Sequence, residues 1–251
     1  MMVRNPSKWR LFRALLIVIT FLPAGPILAQ EKKDYPSNKQ NSRPIENPIT
    51  GPTKESAKAK TEPAQYSYEF SQPQFYIRHI VIEHDENGHG KISFERLNEE
   101  TPIEELLEIS PVALARIVAL WESLRFLDSS TNYQSDKQFP HLGTMRIQKK
   151  QGTRSRTAEF NWTNNHDASA LVNEYRRVAD QAVFVFDISV ARENQPLNTP
   201  KLMESLEWML KRDGLSDPKQ LIPLLKEIST DEHVPLIARN HAIRLLKTIE
   251  K

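Results

Sequence analysis

The feature that most constrains the fold of this chain is a change of hydrophobic periodicity after residue 162. Before it lie two pairs of short runs rich in β-branched and aromatic residues, with one helical pattern between the pairs. After it, apolar residues recur at the three- and four-residue spacing of helices that bury one face. A part that mixes strands with a helix, followed by a part that contains helices only, predicts an α+β fold.

Each pair of runs predicts an antiparallel hairpin. The first joins FYIRHIVIEH to KISFERL through the turn DENGHG, and the second joins TMRIQKK to RTAEFNW through QGTRS. Polar, glycine-containing turns between such runs are typical of hairpins. The segment TPIEELLEIS remains open to two interpretations, because Thr101, Pro102 and Glu104 fit a helix start while the run also fits a third strand.

Two main helices are predicted to cover this small sheet. Ser110 and Pro111 form a typical helix start, and this helix runs to about Phe126. Its apolar stripe comprises Val112, Ile117, Val118, Trp121 and Leu124. The second helix runs from about residue 165 to residue 193, and Pro196 stops it.

The N-terminus has the organisation of an export signal. Four basic residues without an acidic one precede the apolar run Ala14–Leu22, and the small residue Ala29 follows a stretch containing Pro23 and Pro26. This order predicts a cleavable signal peptide over residues 1–29 and a periplasmic or secreted protein. An uncleaved anchor is the alternative, although the apolar run is shorter than the roughly 20 residues that span a bilayer. After cleavage we expect no stable membrane span.

Removal of the signal changes the charge of the chain. The 34 lysines and arginines fall to 30 against 32 acidic residues, and residues 31–60 hold seven of the basic and four of the acidic residues. The remainder from residue 61 carries a formal charge of −5. An acidic chain does not suit nucleic acid, whose phosphates select a basic surface.

Residues 30–72 are rich in Lys, Ser, Asn and Pro, and they predict a disordered linker because they offer little apolar surface to bury. An α+β domain over 73–196 and a helical appendage over 197–251 are expected to follow. The chain contains no cysteine, so disulfides and thiol chemistry are excluded and the core has to be stable without them.

The C-terminal stretch LIPLLKEISTDEHVPLIARNHAIRLLKTI resembles a single HEAT-type helical hairpin. Its first helix would be lined by Leu221, Leu224, Leu225 and Ile228, and its second by Val234, Ala238, Ala242, Leu245 and Ile249. The likeness departs from the family at Pro235, where such repeats usually carry Arg. One repeat cannot form a solenoid, so the resemblance implies a helical appendage packed on the α+β domain. The whole chain resembles exported bacterial proteins with this architecture.

The segment DENGHGKISFER, residues 85–96, resembles a calcium-binding loop. Asp85, Asn87 and Ser93 would supply oxygen ligands, with Gly90 at the turn. His89 stands where an oxygen ligand belongs, and Arg96 stands where a bidentate carboxylate is needed. The same Asp, Asn and Gly also suit a plain hairpin turn.

No nucleophile elbow, phosphate loop or zinc-binding motif is present in the sequence. We therefore expect an exported, non-catalytic protein-interaction module without a cofactor, whose partner is a protein of the cell envelope. One alternative is an extracellular calcium-binding module that uses the 85–96 loop. The other is an envelope hydrolase whose acid or base comes from distant positions such as Glu83, Asp85 or His141.

Overall fold

The computed structural model describes residues 62–251. The predicted signal peptide 1–29 and the predicted linker up to residue 61 lie outside the described residues. The described chain forms one six-stranded antiparallel sheet and five α-helices, and its C-terminal part is helical, so the α+β prediction is confirmed.

The sheet has the strand order β4-β3-β2-β1-β5-β6. Its strands are β1 (Ala64–Ser71), β2 (Ile77–Asp85), β3 (His89–Arg96), β4 (Ile103–Glu108), β5 (Thr144–Gln151) and β6 (Arg154–Phe160). The two predicted hairpins are β2 with β3 and β5 with β6. The ambiguous segment before Ser110 is the edge strand β4, which pairs with β3.

Strand β1 corrects the predicted linker boundary, because it lies inside the range 30–72. Its sequence AQYSYEFS alternates buried side chains with exposed or half-buried ones, and it pairs with β2 on one side and β5 on the other. Two tyrosines and a phenylalanine supply the apolar face that the polar composition of the preceding residues obscured. The strand joins the two hairpins into one sheet.

The helices are α1 (Pro111–Ser123), α2 (His166–Asn194), α3 (Thr199–Lys211), α4 (Ile222–Thr230) and α5 (Leu236–Ile249). Ser110 caps α1 by accepting the N–H of Ala113, and Asn165 caps α2 by accepting that of Ala168. Both starts agree with the sequence. The predicted stripe of α1 was wrong at Val112, which is 60% exposed, because Ala113 faces the core instead.

Helix α2 takes part in two hydrophobic cores. Its N-terminal half packs with α1 on one face of the sheet, around Tyr68, Ile117, Trp121 and Tyr175. Phe184 and Ile188, nearer its C-terminus, pack against the C-terminal helices. A helix of 29 residues is about 43 Å long, which is enough to serve both cores.

Helices α4 and α5, which carry the HEAT-type resemblance, pack against each other in the second core. Membership of that family stays a prediction. Within residues 62–251, no helix has both the length and the apolar character needed to cross a bilayer.

Candidate functional site

The predicted calcium loop is the turn between β2 and β3, and its carboxylate stabilises the turn itself. Oδ1 of Asp85 accepts the backbone N–H groups of Asn87 and His89, each at 2.9 Å. In such a turn a side-chain oxygen takes the place of a backbone acceptor. Desolvation, the largest single effect, raises the pKa of Asp85, but the contacts with Asn87 and His89 together outweigh it and hold the pKa below its usual range.

Ser93 does not lie with Asp85 and Asn87. It pairs with Val81 in the ladder, and Val81 precedes Asp85 by four residues, which is about 13 Å of strand. Over residues 62–251, no three histidine, aspartate or glutamate side chains are grouped so as to hold a metal ion. Calcium binding by Asp85 and Asn87 stays a prediction.

Two further loop positions have roles in the sheet. A Cβ on Gly90 would lie 1.9 Å from the backbone oxygen of Glu83, so the close approach of the two strands requires glycine there. Arg96, at the twelfth position, forms ion pairs with Glu99 and with Asp187 of α2. The guanidinium therefore ties β3 to α2.

The residues suggested for a hydrolase are dispersed. Glu83 forms an ion pair with Lys91 at 3.1 Å on the face of the sheet opposite the helices. His141 lies in a short 3₁₀ turn before β5, beside the end of β1. Asp85 lies opposite the start of β1, about 20 Å away along the strand. The structure does not bring these three side chains together.

A cleft of about 1050 Å³ between the sheet and α2 is the candidate binding site. The inner face of the sheet forms an apolar floor, and one side of α2 forms a wall. The rim comes from the turn between β1 and β2 and from the connection between β6 and α2. The floor includes Tyr68, Phe70, Ile80 and Met145, the wall Val172, Arg176 and Asp180, and the rim Phe75, Tyr76 and Trp162.

Three aromatic rings stand exposed at this rim. Phe75 and Trp162 are each 43% exposed, and Tyr76 is 60% exposed. Neighbouring rings fix two of them, since Phe75 packs on Phe70 at 6.0 Å and Trp162 packs edge-on against Phe139 at 5.2 Å. Aromatic side chains held in place lose little entropy on binding and are frequent anchors of interfaces.

Polar groups converge above the apolar floor. The Tyr68 side chain is fully buried, and its hydroxyl has no hydrogen-bond partner of good geometry among the described residues. Burial raises the pKa of Tyr68 to about 12, and the nearby Arg176 only partly opposes this rise. Arg176 stacks over Phe70 at 5.7 Å. No carboxylate of the described residues lies within ion-pairing distance of it.

Asp180 supplies the acidic group of the cleft. Its carboxylate is 3.5 Å from the Arg212 guanidinium, and the side chain is 46% exposed. Because the cleft walls desolvate the carboxylate, its pKa is raised in spite of Arg212 and Arg176. With two arginines and one aspartate, the cleft favours a ligand that carries negative charge.

No family model matches the chain, and no curated protein matches it in sequence. Its function is therefore inferred from the geometry of the site.

Sequence reasoning did not single out the residues of this cleft. The sequence pattern predicts a strand that includes Phe75 and Tyr76, and another strand that ends at Trp162, whereas the structure places all three in connections. The sequence offers one signal for these aromatic residues, which is their position at predicted strand ends beside polar turns. Side chains at such positions need not be buried and can line a binding site. Their convergence depends on β1, which lies between the two hairpins and brings both strand ends to one edge of the cleft.

Proposed function

We propose that this protein is an exported, non-catalytic protein-interaction module of the cell envelope, and that it holds its partner in the aromatic cleft. The proposal joins the export signal expected from residues 1–29 with the chemistry of the cleft. The rim aromatics would receive an apolar side chain of the partner, and Arg176 would receive a carboxylate beside it.

One observation carries the proposal. Arg176 lies over an apolar floor beside the buried hydroxyl of Tyr68, whose hydrogen has no acceptor among the described residues, and three partly exposed aromatic rings surround the opening. A buried hydroxyl without a partner is destabilising, and a bound carboxylate oxygen would accept its hydrogen. Such a combination of arginine and aromatic side chains is typical of interface hot spots.

The partner segment is expected to be acidic and to contain an aromatic or large aliphatic side chain. Such a segment complements the excess of arginine in the cleft and fills its apolar floor. A basic segment would place its charge next to Arg176 and Arg212, and like charges disfavour association.

Peptide selection tests this assignment directly. The chain without its predicted signal peptide is exposed to a random peptide library, and binding of the selected sequences is measured by fluorescence anisotropy. Acidic sequences with an aromatic residue should be enriched. Trp162→Ala and Arg176→Gln should each weaken their binding by about tenfold or more, as expected of hot-spot residues.

Matched controls are available outside the cleft. Leu197 is 85% exposed and lies before α3, and Arg244 lies on α5 away from the cleft. Leu197→Ala and Arg244→Gln should leave peptide binding unchanged. A selection without acidic aromatic sequences, or binding that survives both cleft substitutions, would overturn the proposal.

The hydrolase alternative has its own test. Incubation with ester, glycoside, peptide and phosphate substrates would have to give activity that disappears on substitution of Glu83, Asp85 or His141. Such a result would replace the binding proposal by an enzymatic function.

A further inference from the structure

Strand β4 is an outer strand of the sheet, and part of its backbone is free. Ile109, just after β4, donates its N–H to the oxygen of Gly88 at 2.9 Å. Hydrogen-bonded pairs alternate with non-hydrogen-bonded pairs along an antiparallel ladder. Leu107, Glu105 and Ile103 therefore direct their backbone groups to β3, while Glu108, Leu106 and Glu104 direct theirs to the open edge.

The free edge is interrupted at one end only. The side-chain amide of Gln220 donates to the oxygen of Glu108 at 2.8 Å, which agrees with the assigned direction of that carbonyl. The backbone N–H and C=O groups of Glu104 and Leu106 have no partner among the described residues. They offer the hydrogen-bonding pattern that an added strand requires.

An apolar groove of about 450 Å³ runs between this edge and α2. Its α2 side carries Val178, Ala182, Val185, Phe186 and Val190, of which Val185 and Val190 are 37% and 41% exposed. On the strand, Leu106 is 94% exposed. Apolar side chains thus flank the free backbone on both sides.

Every charged residue that lines the groove is acidic. They are Glu105 and Glu108 on β4 and Glu193 on α2. Residues 98–109 contain five glutamates and no basic residue. A second copy of β4 would set glutamate against glutamate, and like charges directly opposite each other destabilise strand pairing.

Edge strands also carry charges simply to prevent pairing. Protection of this kind does not account for the exposed Leu106 or for the exposed valines of α2, since apolar surface beside a free edge promotes pairing. The acidic charge excludes acidic strands, and the exposed apolar surface favours pairing, so together they select a basic strand with apolar side chains.

We propose that β4 accepts an extended, basic segment of a partner protein as a seventh strand. Its side chains over the α2 groove would be apolar, and the alternate ones would be lysine or arginine on the opposite face, beside Glu104 and Glu108. This surface is separate from the aromatic cleft, and its partner carries the opposite charge.

A short synthetic peptide with alternating lysine and valine is the probe, and the chain without its predicted signal peptide is the receptor. Binding is followed by fluorescence anisotropy and by amide shifts in NMR spectra. We expect saturable binding with shifts concentrated on β4, and weaker binding as salt is added. A peptide with glutamate in place of lysine should not bind.

The decisive variant is Leu106→Pro. Proline removes the N–H that faces the open edge but none that β3 uses, and edge strands tolerate proline in that position. This change should weaken peptide binding by about five- to tenfold or more. Leu106→Ala keeps the N–H and serves as the matched control, and thermal melting of both variants verifies the fold.

Each of several outcomes would overturn the proposal. They are equal binding of the glutamate peptide, unchanged binding in a folded Leu106→Pro variant, and amide shifts confined to the aromatic cleft. Sedimentation that shows a dimer which Leu106→Pro dissociates would assign the edge to a second copy of the chain and would also contradict it. Trp162→Ala should abolish binding of the acidic peptide in the aromatic cleft and leave binding of the lysine–valine peptide intact. This result would show that the β4 edge and the cleft bind their ligands independently.

Discussion

The hydroxyl of Tyr175 on α2 lies 2.8 Å from Nε2 of His84 on β2, inside the core between helix and sheet. The indole of Trp121, which can only donate, lies 3.0 Å from the same hydroxyl. The backbone oxygen of Asp85, which can only accept, lies 2.7 Å from Nδ1 of His84, so Nδ1 carries the hydrogen. Burial lowers the pKa of His84 and favours the neutral imidazole, so Nε2 accepts from Tyr175, which in turn accepts from Trp121. One chain of hydrogen bonds thus connects α1, α2 and β2.

Tyr175→Phe should lower the free energy of unfolding by about 1–3 kcal/mol, because it leaves the Trp121 N–H and the His84 nitrogen buried without partners. Urea unfolding followed by circular dichroism measures this change. Tyr133→Phe is the matched control, since the Tyr133 hydroxyl is buried and has no partner among the described residues. Equal losses in both variants would contradict the hydrogen-bond chain.

Stability should fall in mild acid because of His84. Burial lowers the pKa of His84 below the usual 6.5, and this outweighs the Asp85 contacts, which favour the charged form. The unfolded chain then binds a proton more readily than the native chain, so the free energy of unfolding decreases as the pH falls from 6.5 toward the lowered native pKa. Above that window His84 is neutral in both states and contributes no pH dependence.

Unfolding in urea at a series of pH values between about 7.5 and about 5 measures this effect. His84→Gln should be less stable than the wild type at neutral pH, yet its stability should change less across the window. Carboxylates with lowered pKa, such as Glu95 and Asp231, lose their contributions at more acidic pH. The same slope in both proteins would show that His84 is not the titrating group.

The two hydrophobic cores should unfold together because α2 belongs to both. Ile188 is fully buried in the second core, and Ile188→Ala should cost about 2–5 kcal/mol. In a background with Trp162 and Trp208 replaced by phenylalanine, fluorescence of the buried Trp121 reports on the first core, and helical circular dichroism includes the C-terminal helices. Both midpoints should coincide and shift together, whereas Val190→Ala, at a more exposed position, should change little. Two separate transitions would show that the helical part unfolds independently.

Gly90→Ala should destabilise the first hairpin by about 1–3 kcal/mol, because the added Cβ would overlap the backbone of Glu83 across the pair. Thermal unfolding measures the loss. Gly214→Ala is the comparison, since the nearest atom to its Cβ would be 3.0 Å away in the flexible side chain of Arg212. A neutral Gly90→Ala would mean that the strands approach less closely than described.

Calorimetric titration of the protein with calcium should give no saturable heat from the turn between β2 and β3. Asp85 already accepts two N–H groups, and Ser93 lies along the strand away from it. Saturable heat that disappears in a folded Asp85→Ala variant would instead establish the predicted calcium site.

Several elements could be predicted because their signals are local. Ser110 with Pro111 and the cap residue Asn165 mark helix starts through the chemistry of the backbone at those positions. The two hairpins follow from a turn between alternating runs. Strand β1 could not be separated from the polar residues before it, because its partners β2 and β5 lie far away in sequence. The face of α1 was misjudged at Val112 because two orientations of the helix satisfied the apolar pattern.

The candidate sites could not be predicted from the sequence. Phe75 and Trp162 are separated by 87 positions, and only the insertion of β1 between the hairpins places both at one cleft. Leu106 could be recognised as exposed and adjacent to free backbone groups only after β4 was placed at the edge of the sheet.

The sequence by itself determined the α+β class, the absence of disulfides, the starts of the main helices and the net negative charge of residues 61–251. These properties depend on composition and on interactions between residues close in the chain. Tertiary structure decided strand order, the sharing of α2 between two cores and the location of both candidate binding surfaces. Each of these depends on contacts between residues far apart in sequence, whose partners local patterns do not specify.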